Sequence, residues 1–329
     1  MTESRLRTLV ALAATGSVRG AASRLTVTES AVSASIGALA RELGVPLVEP
    51  VGRGIRLTAS GAVYARYARQ VLGLLDEGAA AAVQELDPER GRLRLAAVTT
   101  AGEHLLPALL VEFRRRHPRV ALALEVAPSA QVWDLVSAHE VDLVIAGRPP
   151  SGVEAHVVAT KPNELVVAAA PSVADAFDWT STPWLLREQG SATRTRVETY
   201  LKSQHVAPPR LVLGSNGAVV AGAVAELGCA LVSRDAITEL LSDGRLVTVP
   251  MPGTPLLRPW HAVAGMYSGA STALFVEHLH ASGWRPCATV PPPDPPPSRQ
   301  PTGGRARQRS GHRLGGGGVD WPVAVEGGP

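Results

Sequence analysis

Apolar positions in the first sixty residues recur at helical spacing. Leu6, Leu9, Val10 and Ala13 share one face of a helix that Gly16 ends, and Ser17 stands where it can cap a second helix over Val18–Leu25. Ala21 and Ala22 in that helix are small enough to let a neighbour approach closely. Thr28 then caps a third helix, with Glu29 in the first turn, where the helix dipole favours negative charge, and Gly44 at its end. On this helix Val32, Ile36, Leu39 and Leu43 follow one another at i, i+4, i+7 and i+11, a stripe that must face the other two. The opposite face carries Glu29, Ser30, Ser33, Ala34, Gly37 and Arg41. A short strand pair fits 47–48 and 55–57, joined by a Pro- and Gly-containing turn that brings in Arg53, with Arg56 on the second strand.

From residue 59 to 86 no proline intervenes, and Tyr64, Ala68, Val71, Leu75, Ala79, Ala82 and Leu86 form one apolar stripe. A helix of that length spans roughly 40 Å at 1.5 Å per residue. Alone it would expose the stripe, so either the same helix of a second subunit covers it or the helix packs against its own head. Gly73 and Gly78 each weaken the helix by about 1 kcal/mol relative to Ala, which either permits bending or is merely tolerated.

Beyond residue 90 the pattern alternates strand and helix. Strands are expected at 93–98, 120–126 and 141–146, with helices at 103–116 and 131–138 between them. A second unit follows, with strands at 165–169, 184–187, 211–213 and 230–232 and helices at 193–202, 218–227 and 235–241. The alternation predicts parallel sheet covered by helices, in two lobes. Chain crossings are expected near 160–164 and 259–264, so that a last helix over Ala270–Ala281 returns to the first lobe.

Composition changes this picture only at the ends. The chain has 329 residues, 45% of them hydrophobic, which is enough for several cores. No apolar run approaches the roughly 18 residues of a membrane span. Arg5 and Arg7 before a short apolar run imitate a secretory leader, but no convincing cleavage site follows. Two cysteines, Cys229 and Cys287, neither build a disulfide framework nor have metal-ligand spacing, and a reducing cytoplasm is the expected setting. Net charge is +3, concentrated in residues 1–60, where seven arginines face four acids, while residues 91–285 are balanced. That permits phosphate contact by the head. Residues 286–329 hold ten Pro and nine Gly and are expected to be a disordered, Arg-bearing tail.

A helix, tight turn and second helix serve DNA because one exposed helix fits the major groove while caps and a wing grip phosphates. The same periodicity also suits a helical oligomerisation module. Two α/β lobes around a cleft suit an enzyme as well, yet the sequence holds no Gly-x-Ser-x-Gly, phosphate-binding loop, dinucleotide fingerprint or His-Glu-x-x-His. His104, His117 and His139 read as surface or helix-end residues. No catalytic residue, metal or cofactor is assigned. A further alternative is a cytoplasmic solute-binding module with weak or lost DNA binding.

The residues carry a resemblance. Gly16-Ser17-Val18, Ala21-Ala22, Leu25-Thr26-Val27-Thr28, Ala31-Val32-Ser33, Glu42-Leu43-Gly44-Val45-Pro46-Leu47 and Arg56-Leu57-Thr58-Ala59-Ser60-Gly61 resemble the winged helix-turn-helix of LysR-type transcriptional regulators. The resemblance implies an α/β protein with an N-terminal winged helix-turn-helix (1–60), a long dimerising linker helix (61–90) and a two-lobed, periplasmic-binding-protein-like co-inducer domain (91–285). Lobe 1 would comprise about 91–161 and 264–285, and lobe 2 about 162–263. It also implies double-stranded DNA, a small-molecule co-inducer, often an anion, and a second copy as partners, with two dimers pairing into a tetramer, and no membrane.

The residues expected to meet DNA are Ser17, Arg19, Thr28, Glu29, Ser30, Ser33, Ala34, Arg53 and Arg56. Where the family usually has glutamine and then proline or a similar small residue, this chain has Glu29 and Ser30; where arginine and glutamine or histidine are common it has Ala34 and Ser35, and Leu-Phe-Glu-Arg becomes Leu47-Val48-Glu49-Pro50. Bidentate base reading is therefore sparse, and the expectation is greater reliance on DNA shape and a shallow salt dependence. Ligands of such sheets bind beyond strand C-termini, where helix N-termini offer free N–H groups. The residues expected there are Thr99, Thr100, Ser129, Ser191, Thr193, Arg194 and Asn216. For each hydroxyl, helix capping is the competing role. Arg194 would pair with an anion if it points into the cleft.

Overall fold

In a computed structural model, the protein is described over residues 1–52, 54–267 and 269–287, apart from the side chains of residues 85, 86 and 88. Arg53, the side chain of Leu86 in the linker stripe and nearly all of the Pro/Gly-rich tail lie outside what is described.

The head is built from α1 (Glu3–Thr15), α2 (Val18–Leu25), α3 (Glu29–Leu43) and a wing of two antiparallel strands, β1 (Val48–Val51) and β2 (Gly54–Leu57). Each helix ends as its sequence dictates. The Ser17 hydroxyl accepts from the Gly20 N–H and the Thr28 hydroxyl from the Ala31 N–H, while Gly16 and Gly44 close α1 and α3 in the left-handed conformation. Leu9, Leu12, Ala21, Ala22, Val32, Ile36, Leu39 and Leu47 make the core. The stripe predicted on α3 is thus buried at Val32, Ile36 and Leu39, with Leu43 half-buried against it.

The linker α4 (Ala59–Leu86) serves two surfaces. Ala65 joins the head core, and Ala68 and Leu72 pack with Leu6 of α1. Val63, Tyr67, Val71, Leu74, Leu75 and Val83 stay exposed. The predicted stripe is therefore divided: Ala68 is covered by the protein's own head, whereas Val71 and Leu75 are uncovered.

Lobe 1 contains β3 (Arg92–Val98), α5 (Leu106–Arg116), β4 (Ala121–Ala127), α6 (Ser129–Ser137), β5 (Leu143–Ala146) and β6 (Ala155–Lys161). The chain then crosses to lobe 2, with β7 (Glu164–Ala169), α7 (Pro171–Asp175), β8 (Trp184–Leu186), α8 (Ala192–Ser203), β9 (Arg210–Val212), α9 (Asn216–Val224), β10 (Ala230–Ser233), α10 (Thr238–Ser242), β11 (Val247–Thr248) and β12 (Leu256–Leu257). It returns to lobe 1 for β13 (Trp260–Gly265), α11 (Ala270–Ala281) and β14 (Arg285–Pro286). The lobe 1 sheet runs β14-β6-β13-β5-β3-β4.

Three expectations are corrected. The sheets are not all parallel: in lobe 1 β3 runs parallel to β4 and β5, but β13 is antiparallel to β5 and β6, and in lobe 2 β8 and β9 pair in parallel as expected while β7 is antiparallel to β10, β11 and β12. The reason is the return of the chain, which lays β13 between β5 and β6 with Trp260 opposite Lys161. For the same reason lobe 1 resumes at Trp260, and the second crossing falls on Arg258–Pro259 rather than running on towards residue 264. Lastly, the helix expected over 103–116 begins as a π-type turn, Ala101–Leu105, and becomes α-helical only at Leu106, where Pro107 in its first turn has no N–H to give.

Candidate functional site

Two surfaces carry the chemistry expected from the sequence. The first is the outer face of α3. Burial of Val32 (1% exposed) and Ile36 (4%) turns the other side of the helix outward, so Glu29, Ser30, Ser33, Ala34 and Arg41 are exposed. Ser17 and Arg19 at the start of α2 are exposed, as is Thr28, whose hydroxyl also meets Ser30 at 3.0 Å. On the wing, the Arg56 guanidinium donates to Glu49 directly across the strand pair, at 3.0 Å from Nε and 2.7 Å from Nη2. A wing cation is thereby partly spent on its neighbour.

The second surface is the cleft between the lobes, in two compartments. The inner one, with free space of only about 30 Å³, is lined by Thr99 and Thr100 after β3, Ser129 at the start of α6, and Ser191 and Thr193 around the start of α8. These five expected residues are brought together. Thr100 and Ser191 are buried, and the Ser191 hydroxyl caps α8, facing the Arg194 N–H at 3.5 Å. Glu188 also lines this compartment, but both its oxygens accept from Arg187 at 2.7 Å, a pairing that holds the carboxyl below its usual range.

Arg194 and Asn216 are not brought to this site. Arg194 turns along its own helix to Glu198, one turn on, at 2.8 Å, and reaches the Arg187 carbonyl, so it is not the charge partner that the sequence suggested. Asn216 is buried at the start of α9, and among the described residues its Nδ2 has no partner.

The outer compartment has a volume of about 580 Å³ and is lined by Ser129, Gly147, Arg148, Thr195, Arg196, Arg258 and His261, among others. Its charge was missed from the sequence. Arg148 comes from lobe 1 just past β5, Arg196 from α8 in lobe 2, and Arg258 from the crossing itself; among the described residues that line the space none is a carboxylate. Arg258 is half-buried. It packs over Gly147, where a β-carbon would lie 3.6 Å from two of its nitrogens, and donates to Thr193 Oγ1 at 3.2 Å. Burial first, and the positive charge of Arg196 second, pull it below the usual arginine value. Burial, with help from Arg148, likewise lowers His261 and favours its neutral form. Arg148 was legible in principle, since it stands immediately beyond a strand C-terminus; Arg258 was hidden by the misplaced crossing.

Known proteins are similar to this chain over both the head and the lobes. The profile of the bacterial regulatory helix-turn-helix protein, lysR family, matches residues 4–62, and that of the LysR substrate binding domain matches 86–283. The HTH-type transcriptional regulator CbbR of Rhodospirillum rubrum is 33% identical over 256 residues, covering 75% of this chain and 84% of its own. The crystal structure of CbnR, a LysR family transcriptional regulator, aligns with 86% of this chain and 99% of its own at a TM-score of 0.61 and 22% identity. The CcmR regulatory domain of Synechocystis PCC6803, solved in complex with 2-PG, covers 58% of this chain and 96% of its own at a TM-score of 0.54 and 27% identity. With a DNA-binding head and an effector domain each matched along its length, the chain belongs to the LysR family of transcriptional regulators.

Proposed function

We propose that the protein is a promoter-binding switch whose grip on DNA is set by a small anion in the inter-lobe cleft. The observation that carries this reading is the outer compartment, where three arginines from lobe 1, lobe 2 and the crossing converge with no carboxylate in the lining. An anion there draws on both lobes at once, while the hydroxyls of Thr99, Thr100, Ser129, Ser191 and Thr193 supply donors to a second polar group. The complex of the similar CcmR domain with 2-PG supports a small ligand at this kind of domain.

At the other end, α3 enters the major groove through Ser30 and Ser33, with Ser17, Arg19 and Thr28 on phosphates and Arg56 on the wing. The uncovered apolar face of α4 pairs with a second copy, two heads then read a twofold-related site, and two such dimers join through their effector domains in the cytoplasm. Cleft occupancy shifts the balance between two arrangements of the heads, which requires different anion affinity in each.

The test is gel retardation of the DNA upstream of the protein's own gene at low salt, with and without 2-PG. Retardation whose extent or mobility changes with 2-PG supports the switch. No retardation leaves a solute-binding module, the reading to which the scarcity of long donors on α3 points.

A further inference from the structure

We infer that Arg258 is the electrostatic latch of the cleft: a half-buried guanidinium without a counter-charge, which only a multiply charged occupant, such as a phosphate-bearing carboxylic acid, compensates. The inference rests on the reading of the cleft as an anion site and adds its ligand class and the way occupancy is felt.

The argument is one of charge balance. Among the described residues no carboxylate lies within ion-pairing distance of Arg258; its guanidinium contact is the neutral hydroxyl of Thr193. The nearest acid in the lining of either compartment, Glu188, is held by Arg187 through both oxygens. Arg196 and Arg148 add like charge across the same space, and His261 is disfavoured from becoming another cation by its burial. A half-buried cation among like charges and without a partner destabilises the fold that holds it. One negative charge would leave two of the three guanidinium groups unmatched. A phosphoryl group carries close to two charges at neutral pH and offers three acceptor oxygens suited to bidentate arginine.

Geometry also explains how filling the site reaches the rest of the molecule. Arg258 sits on the second crossing, Arg148 is fixed to lobe 1 and Arg196 to lobe 2. Without an occupant, mutual repulsion opposes approach of the lobes. With a polyanion bound, the same three charges pull towards a common centre. The inner hydroxyls are adjacent, since Ser129, Ala192 and Arg258 line both compartments, so a ligand with a carboxylate at one end and a phosphoryl group at the other fits the two spaces in series.

The experiment compares thermal unfolding and calorimetric titration of the full chain with its Arg258→Met and Arg258→Lys variants, at fixed ionic strength and protein concentration. The probes are inorganic phosphate, 3-phosphoglycerate and glycerate. The wild type is expected to bind 3-phosphoglycerate at least tenfold more tightly than glycerate, with inorganic phosphate weaker than 3-phosphoglycerate because it fills one compartment only. Arg258→Met is expected to raise the melting temperature of the unliganded protein by about 2 °C or more and to lose at least tenfold in 3-phosphoglycerate affinity. Arg258→Lys, which keeps the charge, is expected to show no such rise. A purely structural arginine would give the opposite sign, with Met lowering the unliganded melting temperature, and that result overturns the latch while leaving the anion site intact. Equal affinity for glycerate and 3-phosphoglycerate overturns the ligand class. Failure of all three probes to bind the wild type overturns the anion reading of the cleft and the latch with it.

Discussion

Gly73 of the linker helix lies so close to Ala138 that a β-carbon on it would stand 1.9 Å from the Ala138 carbonyl oxygen. This contact is the centre of a seam between α4 and the end of α6. Arg69 grips Glu140 through both oxygens, Gln70 donates to the Ser137 carbonyl at 3.2 Å, and Glu77 meets His139 Nδ1 at 2.7 Å. Burial raises the Glu77 carboxyl above its usual value, against the pull of His139.

The two linker glycines should therefore respond with opposite sign. Gly73→Ala forces the backbones apart and is expected to cost about 1–3 kcal/mol, the range for overpacking. Gly78 has open space where its β-carbon would go, and Gly78→Ala is expected to gain up to about 1 kcal/mol through helix propensity. Urea titration at fixed protein concentration reads both.

On the wing, Arg56 donates to Glu49, so under the proposed DNA contact Glu49 would compete with phosphate for it. The wild-type head is expected to give a salt slope equivalent to about two to four phosphates. Glu49→Gln should tighten binding at low salt and steepen the slope by about one per head, measured by fluorescence anisotropy across a salt series. A wild-type slope near ten per head would contradict this description of α3.

The turn after α7 supplies a pH dependence. Asp178 Oδ1 accepts from the hydroxyls and N–H groups of Thr180 and Ser181, which lower its carboxyl from 3.8 to about 2. A depressed acid means that the unfolded chain binds the proton more readily, so the stabilisation is present above pH 4 and is lost as pH falls towards 2. The stability difference between wild type and Asp178→Asn should accordingly shrink over that interval in acid-dependent denaturation, and a difference independent of pH would remove the assignment.

If α4 joins two copies, a charge on its uncovered face separates them. Val71 is 47% exposed and Leu75 52%. Val71→Glu with Leu75→Glu is expected to leave the helical circular dichroism intact while sedimentation shifts to a smaller assembly. Unchanged sedimentation would mean that another surface holds the assembly.

Thr100 and Ser129 line the inner compartment, far in sequence from the head. Replacing both with Ala should abolish the effect of anion on DNA retardation while retardation itself persists. Loss of both behaviours, or of neither, would contradict the placement.

What the sequence disclosed, and what it concealed, follows from the range of the forces involved. Val32, Ile36, Ser17, Thr28 and Gly44 state the head in local terms, periodicity and caps, and the structure places each as expected. Thr99, Thr100, Ser129, Ser191 and Thr193 converge because strand ends and helix starts can be located without knowing the topology. Arg194 did not follow, since the choice between cleft and Glu198 depends on a rotamer that no spacing encodes. Arg258 escaped notice because a crossing is a tertiary event, and the apolar run 260–264 reads the same whether it bridges two lobes or forms the middle of a sheet. Gly73 looked like a weakness in a helix, because the carbonyl it accommodates is distant along the chain.

Trp260 stands directly opposite Lys161 in neighbouring antiparallel strands. Topologically, everything between them is an excursion suspended from the mouth of what is otherwise a simple hairpin. A tight loop closing 161 to 260 would return lobe 1 to an unbroken sheet, still gripped by the linker at Ala138 and Glu140. A different distal half could thus be inserted between 161 and 260 while the strands and helices on either side of the break keep their own pairing.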